Sequence, residues 1–170
     1  MAINTLLPTP LQNSRPFDEI WTPDGVASVL FPHIPEEWIV WESAPGSGQL
    51  VRFLKSRYAV VAEEQDYFVW EPEQWDCMIS NPPYSLKHEW LRRATELNKP
   101  YALLLPVTTL GVRRCQYYLH DVEIIFLPRR VDFTGKKAPW FSVMWCTRGL
   151  NIGQQLNFAA EGDCKYSRAQ

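Results

Sequence analysis

Five consecutive residues, Ser80-Asn81-Pro82-Pro83-Tyr84, have types and spacing that suit a specific chemistry. Two successive prolines fix φ and remove two backbone donors, so the bend is stiff and its carbonyls face outward as acceptors. The Asn81 side-chain oxygen and the Pro82 carbonyl offer a pair of acceptors to one NH2 group. Tyr84 adds a flat face on which a planar base or amide can stack. Such a bend directs a weakly nucleophilic amino nitrogen at an electrophile without needing a strong base.

A second loop, Glu42-Ser43-Ala44-Pro45-Gly46-Ser47-Gly48, has a different use. Two glycines one residue apart after an apolar strand let the backbone approach a ligand closely. A helix starting beyond them aims N–H groups at the same spot, which suits a carboxylate or phosphate. Glu63 or Glu64, at the end of the next apolar run, is placed to accept hydrogen bonds from ribose hydroxyls. The G-x-x-x-x-G-K-[ST] phosphate loop is absent, which disfavours nucleoside triphosphate chemistry.

The elements around these loops alternate. Pro23 suits the first turn of a short helical stretch over Val26 to Leu30. Strands are expected at Trp38 to Trp41, Tyr58 to Ala62, Trp75 to Ser80, Ala102 to Val107, Glu123 to Leu127 and Phe141 to Cys146. Leu50, Val51 and Leu54 recur at helical spacing. Leu86, Trp90, Leu91, Ala94 and Leu97 share one face of a longer helix, with Ser85 as its expected N-cap. This order predicts an open, largely parallel α/β sheet, whose ligand site lies at the carboxyl ends of the central strands. Both loops fall at such ends.

These residues resemble a family. Asn81-Pro82-Pro83-Tyr84 after Trp75-Asp76-Cys77-Met78-Ile79-Ser80 is similar to the catalytic motif of S-adenosylmethionine-dependent N6-adenine DNA methyltransferases, over roughly residues 20 to 148. The resemblance implies a Rossmann-like class I methyltransferase sheet, mostly parallel with an antiparallel final strand. It gives Asn81, Pro82, Pro83 and Tyr84 catalytic roles. It implies that Thr22, Pro23, Glu42, Ala44, Gly46 and Gly48 bind S-adenosyl-L-methionine, that Glu64 holds the ribose and that Asp66 binds the cofactor's adenine amino group. Pro45 is not a usual occupant of the glycine motif. Glu64 and Asp66 lie so close that the helix usually separating their strands must be missing or minimal. No segment is long enough for a separate target-recognition domain, so the form is a minimal one resembling phage or prophage versions. RNA adenine and a protein glutamine amide are alternative acceptors for the same amine chemistry. A catalytically inactive nucleic-acid-binding fold is the non-enzyme alternative.

Composition sets the remaining bounds. The 170 residues are 46% hydrophobic and 21% charged, as in a globular chain, and have room for about one domain. The expected division is a flexible arm over 1–16, a catalytic domain over 17–150 and a tail over 151–170 with a short strand near Leu156 to Ala159. Four scattered cysteines show no metal-ligand spacing, so no metal is expected and the thiols suit a reducing cytosol. No basic-then-apolar leader and no membrane-length apolar run is seen, so a cytoplasmic protein of a bacterial or phage-infected host is expected. Through Ser85 there are 4 Lys/Arg against 12 Asp/Glu, a net −8; from Leu86 onward there are 13 against 7, a net +6. Three basic doublets, Arg113-Arg114, Arg129-Arg130 and Lys136-Lys137, lie in the second part among aromatics. That pattern suits a nucleic-acid backbone and unstacked bases. DNA is expected ahead of RNA, and a homodimer could compensate for the missing recognition domain.

Overall fold

A computed structural model of the protein describes residues 22–133 and 141–158. Its strands are β1 (Ile39–Trp41), β2 (Ala59–Val61), β3 (Cys77–Ser80), β4 (Tyr101–Pro106), β5 (Glu123–Phe126), β6 (Val143–Arg148) and β7 (Leu156–Phe158). They form one sheet in the order β2-β1-β3-β4-β6-β5-β7. The pairs β2–β1, β1–β3 and β3–β4 are parallel, while β6 lies antiparallel between β4 and β5.

Because β6 opposes both neighbours, β5 runs in the same sense as β4. The carboxyl ends of β1 to β5 therefore emerge at one edge of the sheet, where β6 begins. The antiparallel strand expected from sequence is β6. Beyond it, β7 pairs in parallel with β5, so the sheet takes in part of the 151–170 segment.

Residues alternate across the sheet as strand geometry requires. Val40, Cys77, Ile79, Ala102, Leu104 and Trp145 pack on one face, under a 3-10 helix (Val26–His33) and α1 (Gln49–Leu54). Trp41, Met78, Tyr101, Leu103, Leu105 and Met144 pack on the other, under α2 (Lys87–Leu97) and α3 (Arg113–Gln116). The fully buried Trp145 donates its indole N–H to the Val26 carbonyl at 3.0 Å, tying the first helical turn to the central antiparallel strand.

One expectation needs correction. Ser85 does not cap α2: a 3-10 turn (Tyr84–Leu86) precedes the helix, Leu86 occupies the N-cap position and no side chain caps it. The diproline bend delivers the chain one turn early, and Pro83 O accepts the Leu86 N–H instead, at 3.0 Å. Between β2 and β3 there is no helix, as the closeness of Glu64 and Asp66 implied, and Asp66 itself lies on no strand. An aromatic segment fills that layer. Tyr67 stacks on Trp90 at 3.8 Å and 8°, and Trp41 meets both Tyr67 and Trp75.

Candidate active site

The site grows from the ends of β1 and β3. β1 leads into Glu42, whose N–H donates to Val61 O at 2.9 Å, so the next strand holds the loop's first residue. Gly46 and Gly48 have φ of +47° and +75°, a region that residues with a Cβ rarely adopt. Their role here is the turn itself, closed by Gly48 N–H donating to Pro45 O at 2.7 Å, so Pro45 supplies the acceptor the turn needs. Arg52 braces it by donating to Ser47 O at 3.2 Å. α1 follows, but with six residues its end contributes less dipole than a long helix would.

Ser80 links the two loops. Its hydroxyl donates to Glu42 Oε1 at 2.6 Å, and the same oxygen accepts the Ala44 N–H at 2.9 Å. Glu42 is 1% exposed, and burial pushes its carboxyl up to about 7 despite those two hydrogen bonds. The second oxygen, Oε2, is buried with no hydrogen-bond partner among the described residues. Spacing alone gives Ser80 no role of its own beyond preceding Asn81. Its hydroxyl at the last inward position of a strand otherwise made of Cys, Met and Ile was the available signal.

Asn81 and Thr22 are also joined. The Asn81 side-chain amide donates to the Thr22 hydroxyl at 2.9 Å, so the amide oxygen faces away from Thr22. Thr22 is thus buried against the Asn-Pro-Pro-Tyr bend. Pro23 lies beside it, half-buried, and its carbonyl accepts the Val26 N–H that opens the 3-10 helix. Pro82 is buried and Pro83 half-buried. Lys87 Nζ donates to Tyr84 O at 3.2 Å, a contact no spacing rule pointed to. The Tyr84 ring stands edge-on to Phe133 and Phe141, which come from the connection between β5 and β6.

The remaining expected residues are placed as follows. Ala44 is half-buried in the glycine loop, and Glu64 is exposed three residues past the end of β2. Asp66 uses Oδ1 to accept the Phe68 N–H at 2.9 Å, and its carbonyl accepts from Val69 and Trp70, so it closes a local turn. Arg113 and Arg114 are exposed on α3, which follows the carboxyl end of β4. Arg129, half-buried, and Arg130, exposed, follow β5 at the same edge. Lys136 and Lys137 lie outside the described residues. Burial raises the thiols of Cys77, Cys115 and Cys146, the last to about 12, so none is poised as a nucleophile.

No family model matches this sequence, and no curated protein matches it. Solved structures do resemble it. One is the type IIG restriction endonuclease BpuSI, at 13% identity and a TM-score of 0.52, with 79% of this chain covered but 26% of that one. Another is a dimethyladenosine transferase from Plasmodium falciparum, at 12% identity and a TM-score of 0.48, covering 75% of this chain and 62% of the other. A third is a predicted O-methyltransferase from Agrobacterium tumefaciens, at 14% identity and a TM-score of 0.41, covering 78% and 83%. At these identities the likeness concerns the fold. The sheet order, with its one antiparallel strand among parallel ones, gives the chain a Rossmann-like α/β fold, mostly parallel.

Proposed function

We propose that the protein transfers a methyl group from S-adenosyl-L-methionine to the N6 amino group of adenine in DNA. The observation that carries this reading is the 2.6 Å hydrogen bond from Ser80 to Glu42, which seats the Asn-Pro-Pro-Tyr bend against the glycine loop. The residues fit the cofactor. A buried carboxylate oxygen needs a donor, and Glu42 Oε2 would find one in the ammonium or a hydroxyl of that molecule. Glu42, Ala44, Gly46 and Gly48, with Thr22 and Pro23 at the side, would hold it; Glu64 would take the ribose and Asp66 the adenine.

When bound, the cofactor supplies a methyl group activated by sulfonium, so no protein nucleophile is required. The chain's own residues align the acceptor. Asn81 Oδ1 and the Pro82 carbonyl accept the two amine hydrogens and stabilise the positive charge growing on nitrogen. Thr22 holds the Asn81 amide in that orientation. Tyr84, held by Phe133 and Phe141, stacks on the base and keeps water out. A base starting in a duplex must be flipped out, at a cost of a few kcal/mol. Arg113, Arg114, Arg129 and Arg130 lie at the same edge and suit the phosphate backbone.

The test is incubation with radiolabelled cofactor across duplex DNA, single-stranded DNA, tRNA, rRNA and a glutamine-bearing protein, followed by nucleoside and amino-acid analysis. N6-methyladenine in DNA is expected. Asn81→Ala should lower turnover by about 10²–10³-fold while cofactor affinity holds. Label appearing in RNA or glutamine moves the reaction to that acceptor. Cofactor-induced thermal stabilisation without any transfer would support the inactive binding fold.

A further inference from the structure

Of the aromatic side chains described, Tyr117 alone is mostly exposed, at 76%; the others are buried or half-buried. It directly follows α3, which fully buried Cys115 anchors and which carries the exposed Arg113 and Arg114. Its ring stands edge-on to Tyr118 at 5.1 Å, and Tyr118 stands edge-on to His88 at 5.6 Å. His88 is the neighbour of Lys87, whose ammonium donates to the Tyr84 carbonyl. A run of rings and cations thus leads outward from the catalytic bend to Tyr117. Glu89, 3.6 Å from His88 Nδ1, is the acidic member, set against Lys87, Arg113 and Arg114.

We infer that this surface holds the unpaired nucleotide beside the acceptor adenine, with Tyr117 as its stacking platform and Lys87, Arg113 and Arg114 meeting the flanking phosphates. The inference rests on the proposed nucleic-acid acceptor and specifies its strand state. An aromatic face left in water gains by being covered, and a nucleobase covers it well. A paired duplex hides both faces of every interior base, so only an unpaired nucleotide can use the platform. The flanking cations select a polyanion over an apolar peptide. The preferred acceptor is therefore single-stranded or locally opened nucleic acid.

Fluorescence anisotropy with a short single strand of thymines around one adenine, and with the matching duplex, tests this. Tyr117→Ala should weaken single-strand binding about tenfold and leave duplex binding and melting temperature unchanged. Tyr117→Phe, which keeps the ring, should bind like the parent. Placing 5-iodouracil beside the adenine should cross-link the peptide that contains Tyr117. Unchanged single-strand affinity in Tyr117→Ala would overturn the inference. So would equal losses on both substrates, or polyglutamate competing as well as the oligonucleotide. If no nucleic acid is methylated yet the loss and cross-link occur, the surface stands and the methylation reading fails. If adenine is methylated while Tyr117→Ala keeps its affinity and KM, the reading stands and the surface fails.

Discussion

Glu42 is the residue where burial, charge and the proposed chemistry meet. Its carboxyl is raised from 4.5 to about 7 by burial, so between those values the native state binds more protons than the unfolded one. Stability from this group is therefore fully present below about pH 4.5 and is lost as pH rises to about 7, by roughly 3 kcal/mol. Urea denaturation of the cofactor-free protein across that window should show the decline, and Glu42→Gln should abolish it. Cofactor affinity should run the other way, rising with pH as the carboxylate ionises opposite an ammonium; calorimetric titration would show it. Ser80→Ala removes the hydroxyl from the same carboxylate. We expect a loss of about 2 kcal/mol of stability and a fall in kcat that exceeds the change in cofactor KM. An equal change in both would mean that Ser80 serves binding alone.

At the scale of elements, the aromatic segment between β2 and β3 replaces a helix and must supply its burial. Tyr67 is 3% exposed, stacks on Trp90 of α2 and donates its hydroxyl to the Trp90 carbonyl at 3.2 Å. The Arg93 guanidinium also lies over this ring, 5.5 Å from its centre. Tyr67→Ala should cost about 3 kcal/mol, whereas Tyr67→Phe should cost about 1 kcal/mol; thermal denaturation separates the two. The segment's packing as a layer was not legible from sequence. Asp66-Tyr67-Phe68 resembles a cofactor motif, and no helical or alternating pattern marks residues that are buried by stacking rather than by membership of an element.

Over the whole molecule, parallel strands gather charge. Arg113-Arg114 and Arg129-Arg130 are separated by a strand in the chain, yet both follow strand ends at the edge that carries the Asn-Pro-Pro-Tyr bend. If four phosphates are met there, affinity for DNA should fall on the order of a hundredfold between about 50 and about 200 mM salt. Filter binding across that range checks it. Lys136→Glu with Lys137→Glu should weaken binding further, and a flat salt profile would remove the nucleic acid from this edge. No helix among the described residues is long and apolar enough to cross a membrane.

The strands and the long helix were legible because their patterns are local: a run of Val, Ile and Leu, or apolar residues three and four apart, has one good way to bury itself. The two loops were legible because proline and glycine act on their own backbone. The 3-10 turn ahead of α2 was not, since the bend and the helix compete for the same residues and only packing decides between them. Nor could spacing reveal that Ser80 lies on Glu42, or that Asn81 lies on Thr22, 59 positions away in the chain. Those contacts arise where separate strands meet at one edge, and their register depends on the burial of the whole sheet.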